Sequence, residues 1–585
     1  MKEVLRSFCG ALLALAFVVL VAAGVLSGQS AQKARVKDHS WLVLDLYGPL
    51  PEFDPPGGLA GQVLGGDAAT LQQMLDNLAK AAVDKRIDGV IFRMSATNGA
   101  SWGKLDELRA GVQKVRDSGK PVYAWSDAMS AQCFYLAAAC DSLLMPPTGY
   151  ISFHGFAATS DHLKPLLDKL GVREQLHKIK DYKAAAEMFQ RADASPEARE
   201  NRAWMLDERW DAFTAALAQG RRLDEARVIA LMEKAMMQPR EAQADGLVDR
   251  ILYWDEIEAR LKQPKDERLR TVGQARYAEI KPEKVGLKGK QTIAVVHVHG
   301  MIGGRESTVN PLLGPMIGHE TVVAQLRKAR EDKKVAAIVF RVDSGGGEAL
   351  ASDLIGHEVE ITAKVKPVVA SMVGVAASGG YHVAYRASKI VADPLTTTGS
   401  IGSISGKLNF KGLMDKLGVN QDAVTKGPNA DWDFSTRDYT PEQWARYTDR
   451  HWADFNDWLR DVAEHRGLAF AEAEKLAHGR VWTGRQAKDN KLVDEVGGLD
   501  RAVAVAKELA GIAADDKVTL RHYPEKQGLL AALTGGGKED GAGDGALGPQ
   551  LDAAAGWATY RLLQVEAQET WRLLTSPLAI APDID

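Results

Sequence analysis

LAKAAVDKRIDGVIFR at residues 78–93 returns, without a gap, as LRKAREDKKVAAIVFR at residues 326–341. The offset is 248 residues. Working outward, KPVYA (120–124) returns as KPVVA (366–370), and GLVDRI (246–251) as KLVDEV (491–496), at offsets of 246 and 245. An offset that stays nearly constant over such a distance is the mark of duplication. One copy is expected over residues 40–260 and the other over 292–510. The charged stretch 265–291, with little apolar periodicity, reads as a linker. Each copy reads as strand, helix, strand: WLVLDLYG (41–48) and TIAVVHVHG (292–300) are β-rich runs ended by glycine. Leu71, Met74, Leu75 and Leu78 recur at helical spacing behind Thr70, a good N-cap. GVIFRM and AIVFRV are continuous apolar runs, as in strands buried on both faces. Strands alternating with helices imply crossover units and an α/β fold.

The 585 residues exceed one compact core. Hydrophobic residues make up 45% and charged residues 26%, a globular composition. A net charge of −4 provides no general basic field for nucleic acid, so no nucleic-acid partner is expected. Three cysteines exclude a disulfide scaffold and a multi-cysteine zinc cluster, although a Cys133–Cys140 bridge is permitted. No HExxH pattern supports a zinc protease, and no metal or other cofactor is expected.

Residues 8–26 (FCGALLALAFVVLVAAGVL) form a 19-residue run without a charged or strongly polar side chain. As a helix it would extend about 28 Å, close to a hydrocarbon core. A single transmembrane anchor behind a short tail (1–7) is therefore expected. A long signal sequence cut near Ala22-Ala23-Gly24 or Ser27-Gly28 is the alternative. At the other end, the glycine-rich segment 534–548 reads as a loop and 549–585 as a helical extension.

Ser378 stands in AASGG (376–380), after a strand-like run and before a helix start. A serine on such a turn projects its hydroxyl away from the backbone, and the amides that follow are free to hold a negative oxygen. A small-residue turn closing a strand accounts for the same pattern. A second glycine run, RVDSGGGEA (341–349), can supply the other half of an oxyanion hole. A third, DPLTTTGSIGSIS (393–405), places Ser400 where it can orient a base or make only a local turn. No histidine stands in a recognisable triad motif. A lysine can serve as base when burial lowers its pKa. Lys183, in DYKAAAEMF (181–189), is followed by small and apolar residues; on spacing alone it reads as the lysine of an amphipathic helix.

Taken together, AASGGY, RVDSGGGEA, TGSIG, DYKAAAEMF with its downstream SPEAR, and GRVWTGRQAKDNKLVDEVGGLD (479–500) resemble the long form of the signal peptide peptidase A family, also called protease IV. The resemblance covers roughly residues 1–520. It implies a tandem duplication of a ClpP/crotonase-like domain with an N-terminal transmembrane helix, and a serine endopeptidase with a serine–lysine dyad. Ser378 matches the nucleophile and Lys183 the general base. Ser400 matches the serine bonded to that lysine, and Gly346 and Gly379 the oxyanion donors. The resemblance further implies cleaved signal peptides and other small hydrophobic peptides as substrates. It also implies a homo-oligomer (a tetramer), and a bacterial inner-membrane location with the catalytic domains on the periplasmic side. By the repeat arithmetic Ser378 faces Ala131 or Gln132 in the first copy, and Lys183 faces residues 428–430 in the second. Each copy thus lacks the partner that the other retains. Ser130 lies one residue from the matching position, and Lys426 is the same-half alternative for the base.

The sequence departs from the family in the loop that usually reads Asn-Ser-Pro-Gly-Gly, here Asp343-Ser344-Gly345-Gly346-Gly347. Loss of the proline loosens the loop, and an Asp343 carboxylate near Lys183 would hold the lysine charged. These departures support a rival reading, a non-catalytic oligomeric scaffold that binds envelope peptides or proteins. An acyl-CoA enzyme of the crotonase type fits the fold but not the anchor or the serine–lysine pair.

Overall fold

The computed structural model describes residues 36–53, 70–95, 100–310 and 314–525. The tail 1–7, the apolar run 8–26 and the segments 534–548 and 549–585 lie outside them. Among the described residues no helix is long and apolar enough to cross a membrane.

The first half contributes β1 (Ser40–Tyr47), β2 (Ile87–Ser95), β3 (Val122–Met129), β4 (Ser142–Met145), β5 (Tyr150–Phe153), β6 (Arg173–Lys178), β7 (Ala235–Met237), β8 (Arg250–Ile251) and β9 (Thr271–Gly273). The second contributes β10 (Gln291–His299), β11 (Met301–Ile302), β12 (Thr308–Asn310), β13 (Gly314–Ile317), β14 (Val335–Ser344), β15 (Val368–Ala377), β16 (Lys389–Ala392), β17 (Thr397–Gly399), β18 (Ile404–Asn409), β19 (Val481–Thr483), β20 (Glu495–Val496) and β21 (Val518–Tyr523). The first sheet runs β7-β5-β3-β2-β1-β9, with β4 on β3 and β8 on β4. The second runs β19-β17-β15-β14-β10-β21, with β16 on β15 and β20 on β16. The two orders agree strand for strand, so the chain is a tandem repeat of one α/β unit.

The local reasons are those of the sequence. Val90, Ile91 and Phe92 of β2, and Ile338, Val339 and Phe340 of β14, are wholly buried, as central parallel strands covered on both faces require. Helix Leu71–Val83 begins at Thr70, whose side chain accepts from the Gln73 amide.

Two boundaries differ from the sequence reading. Residues 265–291 are not a plain linker. β9 pairs in parallel with β1 through Trp41–Thr271 and Leu42–Val272. Tyr277 is fully buried, and its carbonyl accepts from Lys80 Nζ at 2.8 Å. A three-residue strand leaves no periodic signal, and the charges around it mask the few residues that pack. The second copy likewise continues past residue 510, because β21 runs parallel to β10.

Several sets of contacts join the copies, including the following two. β6 of the first pairs antiparallel with β18 of the second, from Lys178–Ile404 to Arg173–Asn409. Elsewhere Arg341 on β14, 0% exposed, is bonded to Glu52 at 2.8 Å and to both oxygens of Glu107 at 2.7 and 2.6 Å. Cys133 and Cys140, both buried, are not joined by a disulfide.

Candidate active site

Ser378 follows the last residue of β15 and precedes the short helix Gly379–His382. Its backbone lies at φ 56° and ψ −119°, a strained conformation for a residue with a side chain. The turn is fixed from several sides. The Ser378 amide donates to Gly399 O at 2.8 Å, and the amides of Tyr381 and His382 donate to Ser378 O. Nothing larger than hydrogen fits beside the serine: a Cβ on Gly379 would meet Ser352 Oγ at 2.5 Å, and one on Gly380 would meet Ser344 O at 2.2 Å.

Lys183 comes from the other copy. The β6–β18 pairing extends one step further, with the Ile179 amide donating to Ser403 O at 3.0 Å. The chain then turns and sets Lys183 at the start of the short helix Ala184–Ala186. Gly479, at φ 88°, lies over the Lys183 backbone so closely that a Cβ there would stand 2.3 Å from its nitrogen. Lys183 Nζ is 3.0 Å from Ser378 Oγ, 2.9 Å from Ser400 Oγ and 2.9 Å from Ser400 O. Ser400 is itself held by its amide, which donates to Arg480 O at 2.6 Å. The structure thus brings together Ser378, Lys183 and Ser400, drawn from three separate stretches of sequence.

Lys183 is 7% exposed. Burial lowers its pKa from 10.5 to about 7, and no charged group contributes. A neutral amine has two N–H bonds and one lone pair. Ser400 O and Oγ can take the two hydrogens, which leaves the lone pair facing the Ser378 hydroxyl. That is the arrangement a general base needs.

Asp343 does not act on this amine. Its carboxylate is paired with Lys104 at 2.7 Å and accepts from the Val375 amide at 3.1 Å. Burial pushes the Asp343 carboxyl up, but Lys104 outweighs it and holds the group below the usual range. One support for the scaffold reading is therefore absent: the extra carboxylate is neutralised by a partner of its own.

Of the two glycines expected to offer a free amide, Gly346 does not. The Gly346 amide donates to Ser344 Oγ at 3.1 Å and is already engaged. Gly346 is required for another reason: at φ 98° it folds over the serine turn, where a Cβ would lie 2.5 Å from the Gly379 nitrogen. The next amide, that of Gly347, lies 3.0 Å from where a Cβ of Gly379 would stand. Among the described residues the Gly347 and Gly379 amides have no hydrogen-bond acceptor, and both lie at the Ser378–Gly379 turn. The sequence signal was present, since three consecutive glycines each removed a side chain, but it did not say which amide was free.

The counterpart of Ser378 is Ser130, not Ala131 or Gln132. β15 has ten residues and β3 eight, so the offset grows to 248 where the strands end. Ser130 sits at an ordinary φ of −106° and caps its own helix through the Cys133 amide. Lys426 lies in an exposed run, residues 415–430.

The model of peptidase family S49 matches this chain twice, at residues 114–268 and 360–513, once in each copy. The chloroplastic serine protease SPPA of Arabidopsis thaliana is 33% identical over 458 residues, covering 77% of this chain and 67% of that protein. Protease 4 of Salmonella typhi is 32% identical over 522 residues, 84% of this chain and 82% of the relative. Among solved structures, the 1510-N membrane-bound stomatin-specific protease shares 15% identity over 40% of this chain and 99% of its own, at a TM-score of 0.25. With one match in each half and relatives aligned over most of their length, the chain belongs to peptidase family S49, a family of serine peptidases, in the long, duplicated form of signal peptide peptidase A.

Proposed function

We propose that this chain is an endopeptidase in which Ser378 is the nucleophile and Lys183 its general base. The observation that carries the reading is the buried, unpaired-by-charge amine of Lys183, 3.0 Å from Ser378 Oγ. Neutral Lys183 takes the hydroxyl proton as Ser378 Oγ attacks the scissile carbonyl. The Gly347 and Gly379 amides receive the developing oxyanion. The lysine ammonium then protonates the leaving amine, an ester to Ser378 remains, and water activated by Lys183 hydrolyses it. The apolar run 8–26 anchors the protein in the bacterial inner membrane, with both copies on the periplasmic side. Its substrates are cleaved signal peptides and other small hydrophobic peptides, taken at the membrane surface.

The reading includes a homo-oligomer. β6 and β18 pair between the copies of one chain. Their counterparts by the repeat, residues 420–425 and 157–162, are unpaired, and Val424 is 100% exposed. Each copy thus offers an unpaired segment complementary to that of the other.

The test is hydrolysis of a fluorogenic hydrophobic peptide by the detergent-extracted protein beside Ser378→Ala and Lys183→Ala. Loss of about 10³-fold or more in both variants is expected. A serine-reactive phosphonate should label Ser378. An inactive, unlabelled but folded and assembled parent would instead point to a peptide-binding scaffold.

A further inference from the structure

The loop Asp343–Gly347 poses a mechanical problem. It contains three glycines in succession and no proline, and Gly346 and Gly347 adopt φ 98° and 157°. Such a segment has large conformational freedom in isolation. Yet it must hold one amide against the Ser378–Gly379 turn.

Its far side is fastened within the second copy. Ser344 Oγ donates to Gly300 O at 2.6 Å, the Ile302 amide to Gly346 O at 3.0 Å, and the Glu348 amide to Ile302 O at 2.9 Å. Its root is fastened by the first copy. Asp343 Oδ2 meets Lys104 Nζ at 2.7 Å, with both side chains largely buried, and the same ammonium donates to Leu50 O at 3.0 Å. Asp343 Oδ1 accepts from the Val375 amide of β15, the strand that ends in Ser378. Lys104 therefore bears on a carboxylate that ties together the loop and the nucleophile strand.

The surroundings leave this ion pair little play. Lys104 lies in the first turn of helix Trp102–Asp117. That turn rests on β15 so closely that a Cβ on Gly103 would stand 2.4 Å from Val373 O. A Cβ on Gly374 would meet Ser101 Oγ at 2.3 Å and Asp343 Oδ1 at 2.9 Å. One turn further along the helix Glu107 grips Arg341, two residues before Asp343 on β14. The helix thus presents a cation and then an anion to a strand that offers an anion and then a cation in matching register. A two-residue slip of the strand would set Arg341 against Lys104.

We propose that Lys104 is a positioning residue for the reaction: through Asp343 it fixes the loop that brings the Gly347 amide to the oxyanion. This rests on the reading of Ser378 as the nucleophile. In this chain a charge pair supplied by the first copy does the stiffening that the loop's own sequence lacks. The first copy then contributes to both halves of the chemistry, the base through Lys183 and the oxyanion hole through Lys104.

The experiment compares Lys104→Met with the parent in the full-length, detergent-extracted protein. kcat should fall about 10–100-fold, with KM changed less than about 3-fold, because the lost interaction is one made in the transition state. Affinity for a peptide aldehyde, whose adduct with Ser378 carries the same oxygen, should fall by the same factor. The pH midpoint of kcat/KM should stay in place. The neutral pair Lys104→Met with Asp343→Asn keeps an acceptor for Val375 but not the tie between the copies, so it should stay impaired; full recovery would show that only a stranded carboxylate mattered and would overturn the proposal. An unchanged kcat in folded Lys104→Met would overturn the proposal. So would a loss fully explained by fewer phosphonate-titratable serines, or a moved pH midpoint, which would make Asp343 act on Lys183. If Lys104→Met does not fold, Asp343→Asn alone is read in the same way, and unaltered kinetics there overturn the proposal too. A parent without peptidase activity would defeat the functional reading itself; an active parent matched by its variants would defeat this inference alone.

Discussion

Lys183 is expensive to bury. Lowering its pKa from 10.5 to about 7 corresponds to about 5 kcal/mol of lost preference for the ammonium. Between these values the unfolded chain binds the proton and the folded one does not, so this group makes stability rise with pH through that window. Below about pH 7 the full penalty applies. Replacing it by methionine should therefore stabilise the protein at pH 7 by up to about 4 kcal/mol while abolishing turnover. The gain should shrink toward pH 10.5, as measured by thermal melts across that range. Activity has the same sign. Only the neutral amine can accept the serine proton, so kcat/KM should rise through about pH 7 and then level off. A flat profile from pH 6 to 10 in intact protein would count against a lysine base. Ser400→Ala removes one of the two acceptors on the amine and frees it to rotate. kcat should drop about 10–100-fold, with the pH midpoint displaced downward because an acceptor that favours the ammonium is gone.

At the scale of elements, the site depends on one antiparallel pairing, β6 with β18. Gly406 lies in the middle of it at φ 147°, and a Cβ there would stand 2.0 Å from Gln175 O. Gly406→Ala should force the two strands apart and carry Lys183 away from Ser378, while both β-sheet cores remain intact. The expected result is a fall in kcat/KM of about 100-fold, since a misplacement of about 1 Å suffices for that. Folding should change little, as seen by circular dichroism and melting temperature. Equal losses of activity and folded protein would mean that the pairing matters only to stability. The two-residue difference in length between β3 and β15 belongs to the same scale. It explains why repeat arithmetic placed the counterpart of Ser378 one or two residues beyond Ser130.

The whole molecule is held across its copies by a charged centre. Arg341 has no exposure and shares its hydrogens among Glu52, Glu107 and Ser371. Arg341→Met would leave two buried carboxylates without a cation. It should destabilise the chain by about 3–5 kcal/mol in a denaturant melt. Replacing the three charged residues together by apolar ones of similar volume should recover most of that loss. A single variant as stable as the parent would show that the copies are joined chiefly elsewhere, for instance through the Trp204–Trp482 stack at 5.3 Å.

The duplication and the α/β unit are written in local signals of the sequence, and the candidate side chains Ser378, Lys183 and Ser400 came from motifs that resemble a known family. Apolar runs mark the buried strands, helical spacing behind Thr70 marks the crossover, and glycines crowd the turn at Ser378. The central strands were legible, but not the short ones: β9 and β21 at the sheet edges, and the β6–β18 pair between the copies, take their pairing from a partner far along the chain. Tertiary structure alone decided the rest. Lys183 looks like any helix lysine until Ser400 and Gly479 of the other copy close over it, since burial is a property of what packs above a residue. The free amide proved to belong to Gly347 because Ser344 had already taken that of Gly346. Nothing near Asp343 in the chain indicates Lys104, 239 residues earlier. An ion pair formed across two copies leaves no periodicity in either one, so only their packing could show it.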